Sequence, residues 1–356
     1  MKFSILVEAQ LAHASAEAER QVFHDIVEQA VLADALGYHC IWAVEHHGLY
    51  EYSHCSAPEV LLSYIAARTT RLRLGHAVTL TPGRYNHPIR IAERVAMLDI
   101  LSAGRVNWGS GKSASRTEQE AFELDRSTLD SQWREALEII PRMWRSGSFE
   151  HVGQHYNIPP TTVIPKPVQR PNPPIYVACS RPETIVSAGE LGVGSLNFAG
   201  GTEDHLRQNV ASYRAAVARS TVPPRRITNQ FCATPAALIL ESDQEACEIG
   251  FRGARYHQEG LATYFFSPVR VTGSPEINRS PLNAGELENA RGLRNSAVGP
   301  LNSVIGDPIA ALESVKRFAE SGVDELIMVM QMGTVPHEIV LRSLRTFAEK
   351  VMPHAS

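Results

Sequence analysis

Over its first 110 residues the chain repeats one unit: a short β-rich apolar run, a polar turn, then a segment with apolar residues at helical spacing. FSILVEA (3–9) precedes EAERQVFHDIVEQAVLADALG, in which Val22, Ile26, Ala30 and Ala33 recur at helical intervals and Gly37 marks the stop. YHCIWAVE is followed by APEVLLSYIAARTT, with Pro58 near its first turn. LRLGHAVTL (72–80) is followed by HPIRIAERVAMLDILSAG, ended by Gly104, and RVNWGSG is a fourth strand. Strands that alternate strictly with helices run parallel through right-handed crossovers, which leaves a doubly wound sheet or a closed barrel.

The alternation resumes after an interruption. SQWREALEIIPRMWRSG reads as helix and the proline-rich stretch 157–174 as extended chain. Strands IYVACS, VGSLNFA, RITNQFCATPAALIL and DELIMVMQMG then alternate with further helical segments, the last being PHEIVLRSLRTFAEKVM. Eight strand candidates favour an α/β fold of the (β/α)8 TIM-barrel type, one domain over 1–356 with insertions. Between strands seven and eight, 263–300 is rich in Pro, Gly, Ser and Asn. A connection of that length reads as a functional lid or a mobile segment.

The totals exclude several functions. With 44% hydrophobic and 20% charged residues, the composition is that of an ordinary globular protein. A formal charge of −4 and the lack of a Lys/Arg run argue against nucleic acid as a partner. Five cysteines (Cys40, Cys55, Cys179, Cys232, Cys247), odd in number and never in a C-x-x-C pair, argue against a disulfide framework or structural zinc and read as reduced thiols of a cytoplasmic protein. The opening MKFSILVEAQ is broken by Glu8 and lacks the pattern of a signal peptide, and no run reaches ~20 apolar residues, so no membrane span is expected.

In a parallel barrel the active site is built at the C-terminal strand ends. Glu45, His46 and His47 follow strand two; Thr79 and Thr81 lie at strand three; GSGKSAS (109–115) follows strand four; Cys179 and Ser180 follow strand five. Asn197 ends strand six and Gln331 strand eight. Strand alternation sends His46 and His47 to opposite faces, which weakens a paired metal site, and HEIVL from His337 lacks the second histidine of H-E-x-x-H. No metal is assigned. For His46 a catalytic role competes with that of a hydrogen-bonded polar cap.

GSGKSAS fails as a Walker A loop, because Val106 stands where the first glycine is required. It fits G-x-G-x-x-G/A, with Asp130 ~20 residues on, but three strand–helix units precede it where the fingerprint follows a first strand. A glycine loop with one lysine can hold a phosphate, or be a solvated turn. SRPET, from Ser180, reads as a capping box that also offers an anion site at a helix N-terminus. No G-x-S-x-G elbow supports hydrolysis.

Taken together, GYHCIWAVEHH, RLRLGHAVTL, NHPIRIAERVAMLDILSAGRVNWGSGKS, NPPIYVACSRPETI and QMGTVPHEIVLRSLRTFAEKVMP resemble the bacterial luciferase-like family of flavin-dependent monooxygenases over nearly the whole chain. The resemblance implies a two-component enzyme. Reduced FMN comes from a separate NAD(P)H-dependent flavin reductase and reacts with O2 to a flavin hydroperoxide, which oxygenates a small or medium organic substrate: an aldehyde, ketone, amine or acyl group tethered to a carrier protein. It makes His46 the catalytic histidine and Glu45 part of the flavin pocket. It puts Ala77 and Val78, often joined by a cis peptide in the family, under the flavin ring, and Lys112, Ser180 and Thr184 at the phosphate, with Ser113 and Cys179 beside them.

Lys112 stands where the family often has arginine, and Asp130 where a second arginine is expected, so either Arg126 or Arg181 substitutes or FMN is held weakly as a diffusing substrate. The resemblance also implies that 263–300 is the lid, with Gly273, Gly285 and Gly292 as hinges, and a homodimer through the helices after strands two and three. A deazaflavin-dependent oxidoreductase on the same barrel and a non-catalytic flavin-binding subunit are the alternatives.

Overall fold

The computed structural model describes residues 1–145, 147–296 and 299–355. In chain order it runs β1 (Lys2–Val7), α1 (Ala16–Leu36), β2 (Cys40–Ala43), α2 (Pro58–Ala66), β3 (Arg73–His76), β4 (Thr79–Leu80), α3 (Pro88–Leu101) and β5 (Val106–Gly111). Helices α4 (Arg116–Ala121) and α5 (Leu129–Met143) and a hairpin of β6 (Phe149–Val152) and β7 (Asn157–Thr161) come next. Then follow β8 (Ile175–Cys179), α6 (Pro182–Glu190), β9 (Gly194–Phe198), α7 (Glu203–Arg219), β10 (Phe231–Thr234) and β11 (Ala236–Ile239). The chain closes with α8 (Asp243–Phe265), α9 (Ala284–Asn295), β12 (Ser303–Gly306), α10 (Pro308–Glu320), β13 (Glu325–Val329) and α11 (His337–Lys350).

The strand order β1-β2-β3-β5-β8-β9-β10-β13 is closed by pairing of β13 with β1, and every pair along it is parallel. This is the TIM barrel expected from the alternation, and closure leaves no sheet edge among its eight strands. Trp42, Ile41, Leu74, Val106 and Trp108 are fully buried, and α1 packs Val22, Ile26, Ala30 and Ala33 onto the strands. Gly37 ends α1 with φ of 86°, a left-handed turn that glycine adopts without strain.

Several boundaries differ from the sequence reading. The seventh strand is two pieces, because Pro235 has no N–H to donate; its carbonyl still accepts from Val329 N at 2.9 Å. β12 and α10 were not anticipated, although Asp307 and Pro308 form a legible helix start: the Asp307 side chain accepts from Ala310 N. α8 runs on to Phe265 because Tyr264 and its neighbours pack against Leu49 and Tyr52. Within 263–300 the chain forms α9 behind an Asn283–Glu286 capping box; Ala297 and Val298 lie outside the described residues.

Candidate active site

β2 delivers Glu45, His46 and His47 to the C-terminal mouth of the barrel, where His46 parts from the other two and His47 Nε2 stays 3.4 Å from Glu45 Oε1. Glu45 turns toward the next strand, where its carboxylate accepts from Leu80 N at 2.8 Å and from Asn86 Nδ2 at 2.8 Å. His47 stacks on Tyr85 with ring centroids 5.7 Å apart and packs against Phe122 at 4.8 Å. His46 Nδ1 lies 3.0 Å from Glu118 Oε1, an oxygen that also accepts from His47 N at 3.0 Å. Ser113 Oγ donates to the other oxygen of Glu118 at 2.8 Å.

Glu118 is fully buried and the His46 side chain is 14% exposed. Burial alone would lower the pKa of His46, but the charge and hydrogen bond of Glu118, with smaller contributions from Glu8 and Glu45, raise it above the usual value. Burial would likewise raise Glu118, and His46, Ser113 and the His47 N–H together hold it below the usual carboxylate value. The pair is therefore biased toward imidazolium and carboxylate. Glu118 carries no signal in the sequence: it sits on a six-residue helix, 72 positions from its partner, and no local pattern marks it.

The peptide joining Ala77 to Val78, between β3 and β4, is cis. It lies against β5, where a Cβ on Gly109 would collide with the His76 carbonyl and one on Gly111 with Val78. That close approach explains both glycines of GSGKSAS without a phosphate. Cys179 is buried at the end of β8 and burial pushes its thiol up to about 12, so it stays protonated and is no nucleophile at neutral pH.

At the rim, Lys112 pairs with Asp130, and its ammonium lies 5.5 Å from the Trp133 ring centroid. Arg134 also bonds Asp130, at 2.7 Å, and reaches Ser187 on α6 at 3.4 Å. The cation beside Lys112 is thus Arg134. Neither Arg126 nor Arg181 makes a side-chain hydrogen bond or ion pair among the described residues, and Asp130 is neutralised from two sides. Ser180 is exposed and does not cap α6; the N-cap is Arg181, with no side-chain cap, so the predicted capping box is not formed. Thr184 lies in the first turn of that uncapped helix, half-buried.

A second histidine–carboxylate pair occupies the other side of the mouth. Glu8, one residue past β1, accepts from Tyr52 Oη at 2.9 Å, and the same Oε1 is 3.2 Å from His257 Nε2 of α8. The Tyr52 ring lies between the pairs, 5.4 Å from the His46 ring and 5.5 Å from that of His257. Residues of 263–300 are fastened here: Tyr264 Oη donates to Glu51 at 2.8 Å, Ser274 donates to the other oxygen of Glu51, and Thr117 Oγ1 bonds both N and O of Val271 at 3.1 Å. In the sequence Glu8 is only the charge that interrupts an apolar run, and no local pattern marks Tyr52 or His257, whose shared partner Glu8 lies on a distant element.

All five cysteines are free and buried, and among the described residues no group of three or more His, Cys, Asp or Glu is placed to hold a metal. Nor is any described helix long and apolar enough to cross a membrane.

The sequence model of the family described as luciferase-like monooxygenase matches residues 1–325. The chain is 32% identical over 194 residues to the oxygenase component of the flavin-dependent trigonelline monooxygenase of Acinetobacter baylyi, 54% of this chain and 52% of that one. It spans about half the length of the first such relatives. It is 31% identical over 343 residues, 95% of each chain, to an F420-dependent glucose-6-phosphate dehydrogenase of Kineococcus radiotolerans. The crystal structure of monooxygenase RslO1 from Streptomyces bottropensis superposes with a TM-score of 0.84 at 26% identity, covering 100% of both chains.

Proposed function

Because the chain belongs to the luciferase-like monooxygenase family, we propose that it is the oxygenase component of a two-component system that uses reduced FMN, supplied by a separate NAD(P)H-dependent flavin reductase, and O2. The observation that carries this reading is the buried His46–Glu118 pair at the barrel mouth, two strands from the rim cations. A flavin bound there would supply the electrons that activate O2 as a hydroperoxide, the form that oxygenates a small or medium organic molecule.

The residues fit such a group. Lys112 and Arg134 are partly exposed at the rim and the first turn of α6 presents the Glu183 N–H, which no side chain caps, a combination suited to a phosphate. Ala77, Val78 and Glu45 would lie along the ring, with Ser113, Cys179, Ser180 and Thr184 toward the phosphate. His46, charged by Glu118, would hold and deliver a proton at its free Nε2, and the hydrogen bonds to Glu118 keep that nitrogen directed. Segment 263–300 would act as the lid that excludes water.

The test is rapid mixing of the protein carrying reduced FMN with O2, followed by a substrate panel of aldehydes, ketones, amines and acyl carriers. The reading requires a transient distinct from reduced and oxidised flavin, and accelerated decay of it by one substrate class. A second reading, a deazaflavin-dependent dehydrogenase, is favoured by the 31% identity over 95% of the chain to an F420-dependent enzyme. Tight binding of deazaflavin with no oxygen uptake would select it.

A homodimer through α2 and α3 belongs to the same proposal. Those helices present Val60, Tyr64, Met97, Ile100 and Leu101 to solvent, from 42% to 68% exposed. Light scattering that returns a monomer at micromolar concentration would remove it.

A further inference from the structure

We infer that Glu8 recognises the positively charged nitrogen of the substrate, so that the enzyme acts on amines or other organic cations. This rests on the oxygenase reading, whose substrate class it names. Glu8 is 1% exposed, and while Oε1 is bonded to Tyr52 and lies beside His257, Oε2 is enclosed with no partner. An ionised carboxylate taken out of water is costly unless both oxygens are satisfied.

Among the described residues no lysine or arginine supplies a cation to Oε2. Four carboxylates, Glu8, Glu45, Glu51 and Glu118, are buried around the mouth. Their partners are hydroxyls, amides, backbone N–H groups and histidines. Among the described residues no lysine or arginine pairs with any of the four. Glu51 in particular is held by the hydroxyls of Tyr264 and Ser274, neither of which carries charge.

The rings around Glu8 suit a cation as well. Tyr52 bonds Glu8 through its hydroxyl and meets Phe265 edge to face at 5.3 Å, and Phe265 meets His46 at 5.5 Å. A nitrogen held at Oε2 would gain a charge-assisted hydrogen bond and aromatic faces. The rest of the molecule would then extend past Tyr52 toward His46. Phe265 and Ser274 both belong to the segment covering the mouth, so release of Ser274 from Glu51 would open the way in.

Isothermal titration with benzylamine and with benzyl alcohol, similar in shape and one charge apart, tests the inference. The wild-type protein is expected to bind benzylamine at least ~10-fold more tightly, the size of a hydrogen bond to a charged group. Glu8→Gln should erase that preference and leave benzyl alcohol where it was. Equal binding of the two by the wild type, no binding of benzylamine, or a preference that survives Glu8→Gln overturns the inference. If Glu8→Gln does not fold, the wild-type comparison decides alone, with a preference below ~3-fold overturning it. Oxygen uptake by the wild type with reduced FMN is measured separately: its absence beside an intact amine preference would sink the oxygenase reading and leave the cation site standing.

Discussion

Two histidine–carboxylate pairs face each other across Tyr52, and they are built to opposite rules. In the His46–Glu118 pair every carboxylate oxygen is occupied, by His46, the His47 N–H and Ser113, and the histidine retains 14% exposure toward the mouth. In the His257–Glu8 pair the histidine is 7% exposed and one carboxylate oxygen has nothing to bind. The first pair is complete and needs only a reacting partner for His46. The second is incomplete and needs a ligand. A satisfied buried pair stores orientation, whereas an unsatisfied one stores binding potential, and both lie within one aromatic ring of each other.

The sharpest way to break this comparison is through His46. If it moves protons in the reaction, His46→Asn should lower oxygenation turnover by about 10³-fold, within the range for loss of a general acid–base group, while reduced-FMN affinity stays within about threefold. Steady-state oxygen uptake with equilibrium binding on the same preparation checks it. A variant that retains turnover would reduce the pair to a structural cap.

Stability separates the pairs next. Glu118→Ala strands the imidazole, the His47 N–H and the Ser113 hydroxyl in the interior and should cost about 3 kcal/mol, as breaking a buried pair does. Glu8→Gln removes a charge that was only half satisfied and should cost about 1 kcal/mol or less. Urea unfolding of the two variants gives the difference directly, and equal losses would mean that the free oxygen of Glu8 has a partner after all.

A smaller effect follows from pH. In the fold His46 titrates above its ordinary 6.5 and Glu118 below its ordinary 4.5. The contribution of His46 is thus fully present below 6.5 and is lost as pH rises through its raised folded value; that of Glu118 is fully present above 4.5 and is lost as pH falls through its lowered folded value. The stability gap between wild type and His46→Asn should be widest between 4.5 and 6.5 and shrink on the alkaline side. A gap that grows with pH would reverse the assignment of charge.

The barrel was legible because its signal is periodic: each strand and its helix announce themselves in one continuous stretch, as β1 and α1 do between Lys2 and Leu36 through Val22, Ile26, Ala30, Ala33 and the stop at Gly37. The place of His46 at the mouth was legible because it follows the end of a barrel strand. Glu118, Tyr52, Glu8 and His257 were not, since each acquires its meaning from a partner on another element: 72 residues away for Glu118, 249 for the Glu8–His257 contact. The glycines of GSGKSAS were legible, but the close approach of the His76 carbonyl to Gly109 and of the Val78 side chain to Gly111 was not, because both come from the neighbouring β3–β4 stretch.

The finest test concerns what joins the two regions. Thr117 adjoins Glu118 on α4, and its hydroxyl bonds both the N–H and the carbonyl of Val271, so the segment over the Glu8 side is tied to the helix that orients His46. Thr117→Val keeps the shape and removes both bonds, at a cost of about 1 kcal/mol confined to that contact. Hydrogen exchange at the Val271 amide should then quicken about fivefold, with the melting temperature shifted by only about 2 °C. Turnover should fall only as far as the loosened segment admits water, with no change in the pH profile, because Glu118 itself is untouched. If the pH profile moves with Thr117→Val, the two pairs are not independent and α4 couples the segment to the charge on His46.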